Sequence, residues 1–439
     1  MRTAPRFDRR CYWLLLIITI NVPGFTAFDT TGRTRDFGLF NPQSISRIIL
    51  MMIAGGFTVL FYLTRKSYAA IPLVRKRLTL LFIVYIVFFL ASLPWTSKEV
   101  ALSFYRLAEW GLAISLVIGL YASSPERTDK LSAELVFRIA ALIPIIVGIF
   151  AVFAPKLALQ AIVEDTGFLD FRYGGVVYPP NTVGSMSAIA LYYVLLFHKG
   201  LKRVFLVILF GSTLILTYSR GALISFIIGY VLVNMLFGKV LSKLLTLLGM
   251  VGVGALALVY QDKVITLLSR GTSVGSLTAA SGRLMIWLAG LKMFFVHPIR
   301  GWGFVAGVKD HILDYYTSST FAPEHLHNEL LQALVSGGII AGILISLIYL
   351  TALVRGIRQA RMSLWQQFLL FAFFQMVAHS IEGPVFSYVF TADGMCTLIC
   401  ILSFALVQQY SLPGSSQEVS NEHELPEVSY TLSPDGVHR

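Results

Sequence analysis

Residues 329–354 read ELLQALVSGGIIAGILISLIYLTALV, a run in which Glu329, at the first position, is the only formal charge. A helix rises 1.5 Å per residue, so this run would extend roughly 39 Å, more than the roughly 30 Å of a bilayer's hydrocarbon core. A helix satisfies its own backbone hydrogen bonds, which lipid cannot do for it. The run is therefore expected to cross a membrane. Working outward, similar apolar runs recur at about 11–28, 44–63, 78–95, 100–121, 134–154, 182–198, 203–218, 221–238, 240–260, 363–383 and 386–407. The expected fold is an all-α polytopic membrane protein with about twelve transmembrane helices.

Composition agrees. Hydrophobic residues make up 56% of the chain and charged residues 13%, with mean hydropathy +0.74. Soluble domains carry about a quarter charged residues, so most of this surface cannot face water. Cys11, Cys396 and Cys400 lie in or beside apolar runs, without metal or redox spacing, and read as small buried hydrophobes. The segment after Arg10 lacks a small-x-small site and leads into further spans, so it reads as the first span and not as a cleaved signal.

Basic residues set an expected orientation. Arg2, Arg6, Arg9 and Arg10 precede the first span; Arg65, Lys66, Arg75, Lys76 and Arg77 follow the second, and Arg127 and Lys130 the fourth. Lys199, Lys202 and Arg203, then Lys239 and Lys243, then Arg355, Arg358 and Arg361 continue the alternation. These nineteen residues fall on one side, which places that side and both termini in the cytoplasm. The net charge of +12 then reflects topology and contact with anionic lipid, not nucleic-acid binding. Residues 1–410 form the membrane domain in this reading, and the Ser-, Pro- and Glu-rich 411–439 a disordered cytoplasmic tail. On the opposite side stand the connection 155–181 and a large loop, 262–328. Within that loop, Leu284–Val296 is apolar but short and interrupted by Lys292. It is expected to be an interfacial helix carrying Trp287 and Phe294, ended by His297-Pro298 and a turn at 300–303.

Chemistry is expected at that outer face. Arg172, in Phe171-Arg172-Tyr173-Gly174-Gly175, Arg220, in the tight turn Tyr218-Ser219-Arg220-Gly221, and Arg283, in Ser281-Gly282-Arg283, share nearly one membrane depth against the positive-inside tendency. Guanidinium forks there match phosphate oxygens through bidentate, charge-assisted bonds; snorkelling to lipid head groups is the bland alternative. Glu324-His325-Leu326-His327-Asn328-Glu329 closes the large loop. An imidazole is a natural proton acceptor for a sugar hydroxyl near pH 7, and two histidines two apart would diverge on a helix, so one of them is the expected base. His325, after Pro323, is expected to be solvated or to touch a glycan, while Asn328 is expected to cap the next helix behind His327. Zinc is the competing reading for the pair, but HExxH and a second ligand set are missing from the loop, and no metal is expected. Arg106 and Glu109, three apart in the fourth span, read as a neutralising pair or as cavity lining. His379 and Glu382 end the eleventh span at the outer face, and with Asp393 they could line the same cavity.

Several of these segments resemble the O-antigen ligase and O-antigen polymerase superfamily of bacterial inner-membrane glycosyltransferases, which includes exopolysaccharide polymerases. The matching pieces are Tyr218-Ser219-Arg220-Gly221-Ala222, Ser281-Gly282-Arg283 with Trp287, His297-Pro298 through Gly301-Trp302-Gly303, and His327-Asn328-Glu329-Leu330-Leu331-Gln332 running on to Gly337-Gly338. They cover roughly 200–345 in family order and spacing. The resemblance implies a metal-independent, inverting enzyme of the GT-C type, needing no cofactor, that transfers a glycan from undecaprenyl diphosphate to an acceptor sugar hydroxyl at the periplasmic face. It implies that Arg220 and Arg283, with Arg172 matching less closely, bind the donor diphosphate, and that His327 is the base, with His325 beside it. The implied partners are the lipid-linked donor, a saccharide acceptor and membrane lipids, with a flippase and a chain-length regulator as further partners the resemblance admits. Polymerisation of repeat units is the leading reading, because the loop is modest for holding a charged core oligosaccharide. Ligation to lipid A core is the alternative. A lipid-glycan transporter, from another class, would need a mid-membrane polar pathway and an inverted repeat, and the sequence shows neither.

Overall fold

The computed structural model describes residues 13, 15–17, 19, 42–64, 76–95, 100–123, 128–161, 171–175, 177–260, 283–316, 323, 325–383, 385 and 387–406. Most of the expected first span, Ser281-Gly282, Glu324 and the tail 411–439 lie outside the described residues. In chain order the long helices are α1 (Pro42–Thr64), α2 (Arg77–Ser92), α3 (Val100–Ser123) and α4 (Thr128–Phe153). A short α5 (Pro155–Ala158) leads into a two-stranded antiparallel sheet, β1 (Leu159–Ala161) with β2 (Phe171–Tyr173). Then come α6 (Pro180–Phe197), α7 (Gly200–Leu216), α8 (Arg220–Phe237) and α9 (Val240–Val259). The large loop contributes α10 (Arg283–Val296) and α11 (Ala306–Tyr315), and α12 (Glu329–Ala360), α13 (Leu364–His379) and α14 (Ala392–Leu406) complete the bundle.

Each expected span from 44–63 onward coincides with a helix. Five helices among the described residues, α3, α4, α6, α8 and α12, are long and apolar enough to cross a membrane by themselves; α2 and α14 are shorter apolar helices. The sheet is a departure from the all-α expectation. It pairs Gln160 with Arg172 across a connection whose polar, Gly- and Pro-containing sequence gives no helical period.

Burial follows the apolar pattern. Every residue of α14 is buried, as a helix apolar on all sides must be when it stands at the centre. Around it pack α4, α13 and α12, while α6 fills the space between α4, α7, α8 and α13. Tyr192 stacks on Phe371 at 3.9 Å and Phe197 on Trp365 at 4.0 Å, tying α6 to α13. By contrast α9 exposes Val240, Leu241, Leu244, Leu248, Val251 and Leu258. An exposed apolar stripe of that length is stable only against lipid. This is a membrane protein.

The stretch 329–354 is one apolar run but not one regular helix. At Gly337 and Gly338 the backbone leaves helical values, with Gly338 at φ 65 and ψ −162, a region open essentially to glycine. The groups released by the break are taken up by the turn after α10. Trp302 N–H donates to the Val335 carbonyl at 2.9 Å, Gly303 N–H to Ser336 at 2.8 Å, and Ile339 N–H to Pro298 at 2.8 Å. Non-helical backbone survives at membrane depth only when buried in protein and satisfied in this way. Gly301 (φ 66) and Gly338 lie so close to the opposite chain that a Cβ on either would overlap a backbone carbonyl, of Ser336 and Ile299 respectively. Thus Gly301-Trp302-Gly303 and Gly337-Gly338 are two halves of one splice. Gly338→Ala should lower stability by about 2–3 kcal/mol or more, from strain plus collision, read as a lower unfolding midpoint in detergent.

A second small core, Ile286, Met293, Val308, Ile312, Leu326 and Val335, fastens α10 and α11 to the start of α12. Leu326 is fully buried in it, so the two histidines flanking Leu326 are held at a fixed place.

Candidate active site

Arg220 and Arg283 are each the first residue of a helix, α8 and α10. Helix N-termini present free N–H groups and positive potential, so each arginine adds a guanidinium to a site already suited to anions. Local sequence dictates the first of these starts. Thr217–Ser219 is the whole turn between α7 and α8, with Tyr218 at φ 49 and the Ser219 side chain capping Ala222 N–H at 3.4 Å. A carboxylate of the protein itself lies by the start of α8 and faces Arg283. Glu382 Oε1 is 3.7 Å from Arg283 Nη1, and the same carboxylate lies against Gly221, where a Cβ would overlap it. An anion therefore already sits at the start of α8, facing the Arg283 guanidinium.

Arg172 is placed by β2. Its Nε donates to the Thr217 carbonyl at 3.1 Å and its Nη2 to Asn181 Oδ1 at 3.3 Å. One of its donors is thus engaged on the turn that presents Arg220 and another on the first turn of α6. Its placement braces that turn.

Asn328 is the N-cap of α12, its side chain accepting from Leu331 N–H at 2.9 Å, so His327 precedes the first turn. His327 has φ 50, an uncommon backbone region for a residue with a side chain and one that clusters at functional sites. Its ring is hydrogen-bonded to the Glu382 backbone, which pulls its pKa up, but burial first and Arg283 second leave it below the ordinary histidine value. His325 differs from the solvated residue expected. It is half-buried, its ring meets that of His327 at 4.1 Å, and its Nδ1 accepts the His327 backbone N–H at 3.4 Å. The two do not diverge, because they stand before the helix and not on it. Burial, then His327 and Arg283, lowers His325 to about 3.

That shift has a sign. A histidine depressed in the folded state binds fewer protons there than in the unfolded chain, so stability is intact above about pH 6.5 and falls as pH drops from there toward 3. Between pH 7 and pH 5 the loss should be about 2 kcal/mol. Thermal scans of the wild type against His325→Gln would show it as a pH slope that the variant largely lacks.

The remaining polar groups form two clusters beside this centre. His379 Nε2 lies 3.4 Å from Asp393 Oδ2, its Nδ1 lies 3.3 Å from Ser185 Oγ, and Thr182 Oγ1 donates to Asp393 at 2.9 Å. Arg106 pairs with Glu109 at 2.7 Å and lies 4.6 Å from the Tyr388 ring, which in turn stands 6.4 Å from His325. The neutralising pair read from the sequence is therefore formed, and Tyr388 links it to the histidines. Among the described residues no group of three or more His, Cys, Asp and Glu side chains could hold a metal ion.

Residues 205–346 match the family model described as O-Antigen ligase. That segment is similar to the O-antigen ligase family. It contains Arg220, Arg283, His325, His327 and both halves of the glycine splice, and the family is one of membrane glycosyltransferases. No curated protein matches the chain. Arg172, His379, Glu382 and Asp393 lie outside the O-antigen ligase segment but reach the same centre or its edge. Thr182, Ser185 and Tyr388 were missed by sequence reasoning. Thr182 and Ser185 are three apart on α6, a polar pair on one face of a span, which is a usable signal; Tyr388 carries none.

Proposed function

We propose that the chain transfers a glycan from undecaprenyl diphosphate to an acceptor sugar hydroxyl at the periplasmic face, polymerising O-antigen or exopolysaccharide repeat units. The observation that carries this reading is the Glu382 carboxylate held against the arginine-headed start of α8 and facing the Arg283 guanidinium. A donor diphosphate would take that position, with Arg220 and Arg283 on its oxygens. The acceptor hydroxyl attacks the anomeric carbon, the bond from that carbon to the diphosphate oxygen breaks, and the hydroxyl proton passes to His327. Configuration inverts, and the lipid diphosphate leaves with its electron pair. The arginines stabilise the charge that develops on it, so no metal is required in this mechanism. Both termini are cytoplasmic in this reading, and a flippase and a chain-length regulator are the protein partners it admits.

The family description favours a second reading, ligation of the finished glycan to lipid A core. Donor chemistry is shared, and only the acceptor differs. Purified protein in proteoliposomes should be given a lipid-linked repeat unit as donor, with either the same lipid-linked unit or lipid A core as acceptor. A ladder of lengthening products in excess EDTA is expected. A single addition to lipid A core would replace polymerisation by ligation, and a requirement for one divalent ion would overturn the metal-free mechanism. Absence of any transfer with either acceptor would sink the reading.

A further inference from the structure

The described residues contain a second arginine constellation, at the far end of the bundle. Glu329, beside His327, and Arg355 stand on the same α12, and their separation in sequence spans roughly 39 Å of helix. There, between the start of α2 and the end of α12, runs a groove of about 650 Å³. Arg77, Arg355 and Arg358 line one end of it, and Leu80, Val84, Leu350 and Val354 line its walls. The spacing explains the layout. Arg77, Leu80 and Val84 fall at i, i+3 and i+7 on one face of α2, and Leu350, Val354 and Arg358 succeed one another at four-residue steps on α12. Both helices thus bring arginine to the same end and lead an apolar face away from it.

Among the described residues no carboxylate lines this groove. Among the described residues no ion pair forms on Arg77, Arg355 or Arg358; Arg355 Nη1 is steadied by the Ala405 carbonyl at 3.4 Å, which leaves the rest of its fork available. Lys76 gives the N-terminus of α2 no side-chain cap, so the first N–H groups of that helix add positive potential at the same end. The four wall residues are between 41% and 58% exposed. A free anion would use the arginines and leave those walls bare, whereas an amphipathic anion would cover both.

We propose that this groove is a binding site for an anionic glycerophospholipid of the leaflet opposite the candidate active site. Its phosphate would lie among Arg77, Arg355 and Arg358 and one acyl chain along Leu80, Val84, Leu350 and Val354. Basic pockets between helices at a membrane surface hold lipid head groups by this combination of charge and depth. The site does not depend on the transfer reaction.

Full-length protein in neutral detergent, titrated with phosphatidylglycerol and followed by native mass spectrometry, tests it. Arg77→Gln/Arg355→Gln/Arg358→Gln should weaken the first bound phosphatidylglycerol by about tenfold or more. The control Lys199→Gln/Lys202→Gln/Lys243→Gln removes equal charge from residues that do not line the groove and should change binding less than about twofold. Val84→Trp fills the wall, keeps all three arginines, and should also weaken binding, which covers the case of a triple variant that fails to fold. Phosphatidylcholine should bind no better to wild type than to the triple variant. Equal losses in groove and control variants would reduce the effect to general surface charge and overturn the site. Equal binding of glycerophosphoglycerol without acyl chains would overturn the lipid assignment, as would full binding by Val84→Trp.

Discussion

His327→Ala should lose transfer by about 10²- to 10⁴-fold, the range a positioned general base contributes, while donor binding changes less than about threefold. Geometry favours His327 over its neighbour. Its ring hydrogen bond to the Glu382 backbone fixes one nitrogen as donor and leaves the other as acceptor, the state a base needs. The depressed pKa keeps the imidazole neutral at pH 7, so activity should persist below the ordinary histidine pKa before protonation removes it. His325 is lowered to about 3, which makes it a much weaker proton acceptor. Its Nδ1 instead receives the His327 backbone N–H, so it steadies a residue held at φ 50. His325→Ala should therefore cost much less than His327→Ala. The measurement is donor binding and single-turnover transfer, side by side for both variants. A dead His325 variant beside an active His327 variant would reverse the assignment. Full transfer in both would end the histidine-base mechanism and leave leaving-group stabilisation as the main catalytic contribution.

The bundle was legible because span length is a strong signal in lipid, where each run of about twenty apolar residues has few alternatives to helix. The break in α12 was not, since two glycines in a membrane helix are common and only the partner turn at 298–303 reveals why the backbone opens. The same blindness affected the roles of motifs. Gly301-Trp302-Gly303 and Gly337-Gly338 carried family likeness, yet they close a backbone splice and hold the loop. The arginines could be singled out by chemistry, because guanidinium forks match phosphate oxygens. Their geometry was not, since Glu382 and Gly221 are far apart in sequence and meet only when α13 packs against α8. The half-burial of His325 was not legible, because Tyr388 reaches it from a segment far along the chain.

Changing either Arg220 or Arg283 to Lys should lower transfer by at least about tenfold, with charge retained and the bidentate fork lost. Arg283 carries the sharper expectation. It faces Glu382 at 3.7 Å in the resting protein and acts on both loop histidines, so one guanidinium touches the anion position and tunes the base. A lysine at 283 would let Glu382 relax and would change the field at His327, moving the acid limb of the pH profile as well as the rate. Glu382→Gln separates binding from turnover. Removing the resident carboxylate should tighten undecaprenyl diphosphate binding, because the lipid no longer competes with an internal anion for Arg283. If the amide variant instead binds the diphosphate more weakly, Glu382 is not a placeholder and the anion position at the start of α8 has been misread. Near-normal turnover in both lysine variants would remove Arg220 and Arg283 from the donor site, whatever Glu382 does.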